Sequence, residues 1–355
     1  MFSNTGRTEL SSLGEFGLIK HLTKGIEPRH PESHKGVGDD AAVLFYGDNA
    51  ILWTTDMLTE GVHFDLSYVP LRHLGYKAVT VNLSDIFAMN GTPKQILVSL
   101  GISNRFSVEA IEELYDGMLL ACKKYNIDLV GGDTCSSASG LIINITALGE
   151  AKKEEVVYRN GAKENDLICV TGDLGAAYMG LQLLEREKAV FEENPKIQPD
   201  LGGNDYILER QLKPEAKGDL VQIFKEIGIR PGSMIDISDG LASELLHICT
   251  QSGTGCRIYE EKIPIDSQTS IAAHSFRLDP TICALSGGED YELLFTIQQS
   301  DYEKIKNRGE ISIIGHVTAK EAGCQLITRA GTQIQLTAQG WDAFLKSNIQ
   351  GLNLN

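Results

Sequence analysis

Apolar residues recur every three to four positions along some stretches of this chain and alternate with polar ones along others, a division that predicts helices and strands respectively. The first periodic stretch carries Leu13, Phe16, Leu18, Ile19 and Leu22 and predicts a helix, followed by a polar, proline-bearing loop over 27–35. Short apolar runs at 41–45 and 50–54 flank a Gly-Asp-Asn turn and read as the strands of a hairpin, which leaves Asp56 just past a strand end. Over 71–89, Leu74, Ala78, Val81, Asp85 and Met89 fall at helical spacing, so an aspartate shares the broad face of core positions. A strand at 96–102, a helix over 108–124 with Ile111, Leu114, Met118 and Cys122 on one stripe, and a strand at 141–148 follow. Leu129 and Val130 lead into Gly-Gly-Asp, which predicts that Asp133 emerges at a loop tip.

A charged link at 152–155 and the turn-rich 159–166 place a domain boundary near residue 152, giving domains 1–152 and 153–355. The second domain repeats the pattern with a strand at 167–171, a Gly172-Asp173 turn and a helix over 176–186. Residues 187–217 are polar with three prolines and predict an excursion from the core. A strand at 234–237 runs into Ser-Asp-Gly and a helix with Leu241, Leu245 and Ile248 on one side, stopped at Gly253. Then come Ser-Gly-Gly-Glu-Asp at 286–290, a strand at 292–297, a helix, and a last strand at 311–317. With no solenoid repeat and no low-complexity tract, the expected architecture is compact and mixed α+β.

A length of 355 residues suits two domains, and 42% hydrophobic with 23% charged residues is ordinary for a globular protein. The formal charge of −16, without a Lys/Arg cluster, argues against nucleic acid and favours metal ions or a cationic ligand. Seven cysteines, at 122, 135, 169, 249, 256, 283 and 324, form no CxxC pair or zinc spacing and read as reduced core or incidental thiols. The first twenty residues hold no apolar signal region and no run of eighteen apolar residues occurs, so the expectation is a cytoplasmic protein without membrane contact.

Five short runs end in aspartate: Gly-Asp-Asp at Asp39 and Asp40, Thr-Thr-Asp at Asp56, Asn-Leu-Ser-Asp at Asp85, Gly-Gly-Asp at Asp133, and Asp-Ile-Ser-Asp at Asp236 and Asp239. Converging carboxylates repel by roughly 4 kcal/mol per close pair at an effective dielectric of about 20, so their meeting would require divalent cations. Thr54 and Thr55 add hard oxygens of the kind magnesium takes. Four of the five runs, and Ser-Gly-Gly-Glu-Asp at 286–290, also have a plainer explanation: solvated turns at 39–40 and 286–290, an edge strand at 54–56, a satisfied buried acid at Asp85, and a helix N-cap worth about 1 kcal/mol at Ser238 or Asp239. No GxxxxGK[ST] loop, kinase-type glycine loop or HExxH pattern occurs, so a nucleotide would have to be held largely through metal.

The runs GVGDDAAVL, TTDMLTEGVHF, YKAVTVNLSDIFAMNGTPK, LVGGDT, RNGAKENDL, IDISDGLASEL and ALSGGEDYELLFT resemble, in order, the thiamine-monophosphate kinase family of the aminoimidazole ribonucleotide synthetase superfamily, from about residue 14 to the GWDAF run. The resemblance implies an α+β, two-domain fold. In it the N-terminal domain (1–152) binds ATP and magnesium and pairs into a dimeric β-barrel, and a C-terminal α/β sandwich (153–355) completes the nucleotide and substrate site. It further implies a homodimer converting ATP and thiamine phosphate to ADP and thiamine diphosphate by direct in-line transfer, without a covalent nucleophile. Carried over by motif, Asp40, Thr54, Thr55, Asp56, Asp85, Asp133, Asp236 and Asp239 would hold several Mg²⁺ ions. Tyr115, Gly132, Asp133, Arg159 and Ser238 would touch ATP; His63, Glu289 and Trp341 would meet thiamine phosphate. A flat indole and a carboxylate suit a cationic thiazolium ring.

Superfamily relatives of the selenophosphate synthetase kind would bring a reactive N-terminal Cys, and hydrogenase-maturation relatives a C-terminal one. Here no Cys precedes Cys122 and the last residues read LNLN. Two further functions compete on the same scaffold: an ATP-dependent synthetase that activates a carbonyl or amide oxygen, and a non-catalytic metal- or nucleotide-binding regulator. The complete set of acidic motifs disfavours the regulator.

Overall fold

The structure is a computed structural model that describes residues 9–338, so Trp341 and the rest of GWDAF lie outside the described residues. In the first half, α1 (Gly14–Thr23) leads to β1 (Ser33–Lys35), β2 (Ala42–Tyr46) and β3 (Asn49–Thr59). Then follow α2 (Leu71–Ala88), β4 (Thr92–Ile102), α3 (Val108–Tyr125), β5 (Asp128–Ser136) and β6 (Leu141–Lys152). These strands make one sheet in the order β1-β2-β3-β6-β4-β5, parallel at the β4/β5 pair and antiparallel elsewhere.

Three sequence expectations change here, each because long-range pairing outweighs a local turn preference. Residues 33–35 pair with β2 instead of looping. β3 pairs with β6 from Asn49↔Lys152 to Thr59↔Ile142, so Asp56 sits inside a strand and not past its end. The Gly-Gly-Asp run is strand β5, with Asp133 opposite Ser99, and not a loop tip. A Cβ on Gly132 (φ +155) would lie 1.7 Å from the Val98 carbonyl oxygen, so this glycine is required by the close approach of β4.

The second half contains β7 (Leu167–Thr171), α4 (Ala176–Glu193), α5 (Asp205–Leu212), α6 (Gly218–Ile227), β8 (Ser233–Asp236), α7 (Leu241–Ser252) and β9 (Gly255–Tyr259). It continues through α8 (Ser267–Ser275), α9 (Pro280–Ser286), β10 (Leu293–Ile297), α10 (Tyr302–Ile305), β11 (Ile311–Thr318), β12 (Cys324–Ile327) and β13 (Gln333–Gln335). The sheet order is β13-β12-β9-β11-β7-β10-β8. The strand at 311–318 is therefore not the last, since the short β12 adds parallel to β9 and β13 extends it.

Residues 187–217 are an excursion only in part: 194–200 is an exposed loop, while the segments on either side of it pack into the fold. Helix α4 continues to Glu193, α5 packs on α4, and Ile207 and Gln211 are buried. Arg210 is paired with the buried Glu292 at 2.7 Å, Lys217 meets the same carboxylate at 2.9 Å, and Glu215 accepts hydrogen bonds from Tyr76 and Tyr125. The polar composition is real, but its partners lie far away in sequence.

Helix α2 ties the two halves together. It contacts β3, β4 and β6 of the first sheet and β8, α5 and α6 of the second half, and one apolar cluster runs through it from Ala41 to Ile311. From Leu74 to Met89 every residue is buried except Asp85, as expected for a helix packed on all sides. The opposite face of the first sheet carries exposed Trp53, Met57, Leu97 and Val130. Among the described residues no helix is long and apolar enough to cross a membrane.

Candidate active site

One turn of α2, the Asn82 to Asp85 run, joins strands from both halves. Asn82 Oδ1 accepts the Asp56 backbone N–H at 3.0 Å, the Ser84 hydroxyl donates to Asp236 Oδ2 at 2.7 Å, and the Thr54 hydroxyl donates to Asp85 Oδ2 at 2.6 Å. Carboxylate oxygens of Asp40, Asp85 and Asp236 come within 4.8 Å of one another, although the three lie up to 196 residues apart in sequence. Between Leu74 and Met89, Asp85 alone is not fully buried.

The electrostatics follow first from burial and then from that crowding. Burial pushes Asp40 up to about 7, opposed by Arg159 and reinforced by the charge of Asp236. Burial also lifts Asp56 to about 6, helped by Asp40, and Asp236 to about 6, moderated by Ser84 and Arg159. Asp85 rises well above the ordinary carboxylate range through burial and then the charges of Asp56, Asp236 and Asp40. The counter-charge close at hand is Arg159, whose guanidinium reaches Asp40 Oδ1 at 2.7 Å. Asp40 Oδ2 is buried and accepts no hydrogen bond. An orphaned buried oxygen among hard carboxylate donors with too little positive charge fits a divalent oxygen-loving cation.

Ser238 and Asp239 follow β8 after a single residue, Ile237. The N-cap of α7 is Gly240, so neither residue is the plain cap that the sequence allows. Their backbone N–H groups instead donate to Glu244 Oε1, at 3.3 Å from Ser238 and 2.8 Å from Asp239. Glu244 is buried, and burial together with the Asp239 charge holds its carboxyl well above the usual range. The Asp-Ile-Ser-Asp loop is also fastened to Ser-Gly-Gly-Glu-Asp: Glu289 N–H donates to Ser238 O at 2.7 Å and Tyr291 N–H to Ile237 O at 2.9 Å. Glu289 and Tyr291 both hold positive φ, 57° and 51°, a strain of about 1–3 kcal/mol each that these tethers sustain.

That loop is not a solvated turn. Asp290 points inward and accepts the Gly175 N–H at 2.8 Å, while Glu289 turns toward Lys77 Nζ (2.9 Å) and Gln211 Nε2 (2.8 Å). His63 lies close enough to feel the charge of Glu289, although burial dominates and lowers its pKa. Its Nδ1 accepts the Thr59 N–H at 3.0 Å, which assigns the proton of the neutral ring to Nε2.

Not every expected residue joins. The Thr55 side chain lies on the far face of β3, hydrogen-bonded to Ile145 O and Thr146 Oγ1, because successive strand residues alternate sides. Asp133 shares a row with Met57 through Asn144 and Ser99, three strand spacings or about 14 Å from β3, on the same outer face. Gly132 is equally distant. Tyr115 lies on α3 beside a shallow apolar groove formed with Phe106, Val108 and Ile111. Residues that sequence reasoning missed are Asn82, Ser84, Lys77, Gln211 and Glu244. Asn82 and Ser84 stand inside the Asn-Leu-Ser-Asp run and could have been found by asking what else its turn of helix presents.

A cluster of acids at the junction of two mixed sheets agrees with the comparisons by family. Residues 38–151 match the family described as AIR synthase related protein, N-terminal domain. Over nearly its whole length the chain is similar to the thiamine-monophosphate kinase of Bacillus subtilis (strain 168), 36% identical across 94% of this chain and 100% of that protein. The solved structure of AaThiL complexed with AMPPCP and TMP superposes with a TM-score of 0.83 at 32% identity, covering 96% of this chain and 100% of that one. The thiamine monophosphate kinase of Aquifex aeolicus gives 0.75 at 31% identity, over 92% and 100%. The fold is therefore that of the AIR synthase-like superfamily, and the chain belongs to the thiamine-monophosphate kinase family.

Proposed function

We propose that this protein transfers a phosphoryl group from ATP to thiamine phosphate, yielding ADP and thiamine diphosphate. The observation that carries this reading is the convergence of Asp40, Asp85 and Asp236 from three separate motifs, with the charge of Asp56 acting on Asp85 and that of Asp40 on Asp56. Incubating the protein with ATP, thiamine phosphate and Mg²⁺ should produce thiamine diphosphate. Binding of ATP without any such product would leave a regulator or another ATP-dependent enzyme.

In this reading Asp40, Asp56, Asp85, Asp236 and Asp239 hold Mg²⁺, with the Thr54 hydroxyl orienting Asp85. Bound there, magnesium supplies neutralisation of phosphate oxygen charge. The protein's own part is placement. Glu244 fixes the loop that presents Ser238 and Asp239, α2 fixes the acids, and Arg159 is the cation poised to turn from Asp40 toward a phosphate. Thiamine phosphate would lie between His63 and Glu289, with Trp341 beyond the described residues. The thiazolium would then compete with Lys77 for Glu289. Glu289→Gln is expected to raise the KM for thiamine phosphate about tenfold, equivalent to about 1.4 kcal/mol, and to leave that for ATP nearly unchanged. Equal shifts for both substrates would place Glu289 elsewhere.

Tyr115, Gly132, Asp133 and Thr55 belong to an ATP and metal site that one chain does not close. We read domains 1–152 and 153–355 as the two units of the fold, with the outer face of the first sheet pairing two copies into a barrel. The exposed apolar Trp53, Met57, Leu97 and Val130 support this, since exposed apolar surface is a common interface mark. A second copy would cover that face and meet Asp133. Sedimentation should report a dimer, and Met57→Lys a monomer with little activity. A fully active monomeric wild type would refute the pairing.

A further inference from the structure

Three of the seven cysteines, unremarkable in spacing, meet inside the second half. Cys249 lies on α7, Cys256 on β9 and Cys324 on β12; all three are buried, and their sulfurs lie within 4.8 Å of one another. β9 and β12 run parallel with Cys256 opposite Cys324, so both side chains leave one face of the sheet, and α7 packs against both strands. Each strand cysteine follows a glycine, and a Cβ on Gly255 would sit 2.4 Å from the Gly323 carbonyl oxygen. That same oxygen accepts the Cys256 N–H at 3.0 Å. The tight approach of the two strands is thus what sets the sulfurs side by side.

We propose that Cys249, Cys256 and Cys324 form a three-sulfur site for a divalent thiophilic cation of the zinc class, separate from the oxygen-lined acidic site. The separation is built into α7, which starts just after Asp239 and reaches Cys249 eight residues past Leu241, about 12 Å along the axis. The spacing fits: three sulfurs at about 2.3 Å from a tetrahedral cation, filling three of its four positions, are about 3.8 Å apart, inside the observed envelope. The ligand type excludes magnesium, which takes oxygen and keeps its water, whereas Leu245, Ile248, Ile258 and Leu326 make the surroundings apolar. Charge favours a divalent over a monovalent ion. Binding releases the thiol protons to solvent, and three thiolates with a 2+ ion leave one net negative charge in the core, where a 1+ ion would leave two. The competing explanation is three thiols packed as small hydrophobes.

The full-length protein, kept reduced, would be titrated with Cd²⁺ alone as an optical stand-in for zinc. One cadmium per chain with a thiolate charge-transfer band, and a three-sulfur first shell by X-ray absorption, are expected. Cys324→Ala should weaken cadmium binding by about 100-fold or more, beyond the 10–100-fold typical of outer-shell changes, with Mg²⁺-supported kinase activity retained. Cys135→Ala, at the exposed cysteine, should change nothing. Absence of the band in folded protein, an oxygen-dominated shell, or a band that survives Cys324→Ala would overturn the site. So would a thiol count two short, which would mean a disulfide. Should Cys324→Ala fail to fold, the sulfur count on the unsubstituted protein decides.

Discussion

Asp85→Asn should lower turnover by about 100- to 1000-fold, the range seen when one preorganised electrostatic group is removed from a reacting centre, while the protein stays folded. At 1.36 kcal/mol per decade this is about 3–4 kcal/mol of transition-state stabilisation. The fold should survive because the amide oxygen can still accept the Thr54 hydroxyl bond, and because the substitution removes one of several repelling charges. In EDTA the variant should unfold at the same denaturant concentration as wild type or a higher one. With Mg²⁺ it should gain less than wild type does. Turnover near the wild-type rate, or a variant unfolded with and without Mg²⁺, would return Asp85 to a purely structural part.

The stabilisation of the protein by Mg²⁺ should grow steeply between about pH 5 and pH 8. Asp40, Asp56 and Asp236 have folded-state values raised to about 7, 6 and 6 from an unfolded value of 3.8, and Asp85 is raised well above it. A raised folded value means that the folded protein holds protons the unfolded chain has released. The stability tied to those protons is complete below 3.8 and is lost as pH climbs through about 6 to 7, at about 1.4 kcal/mol for each unit of displacement. Cations bind the ionised acids and offset that loss. The half-buried His247, lowered to about 4, works in the other direction below its ordinary value, but it contributes alike with and without Mg²⁺. The difference between denaturation midpoints in Mg²⁺ and in EDTA therefore isolates the acids. A difference that stays flat or shrinks over this window would mean the four carboxylates do not share cations.

Much of the chain was readable one element at a time. The helices α2, α3 and α7 and the strands β7 and β10 follow local periodicity, and their predicted spans agree closely with the observed ones. Errors fell where long-range pairing decided the outcome: β3 ran through Asp56, β5 absorbed Gly-Gly-Asp, and α5 buried a polar stretch against partners 80 residues away. Local rules have no term for such partners. The cysteines make the same point, since thiols scattered in sequence became a cluster only when β9 and β12 were laid in register.

By itself the sequence determined which chemical groups were available and in what order: acids in five short motifs, an acid-bearing core helix, and the family those motifs resemble. It could not say which acids share a volume. That was decided by the stacking of α2 between two sheets, which brings Asp40, Asp85 and Asp236 within 4.8 Å yet leaves Asp133 about 14 Å from β3 on the outer face. The reason is that alternation and helical spacing fix a residue's side of its own element, whereas the distance between carboxylates on different elements depends on strand order and packing. The repulsion at the site depends on that distance and on the burial around it, both of which packing decides.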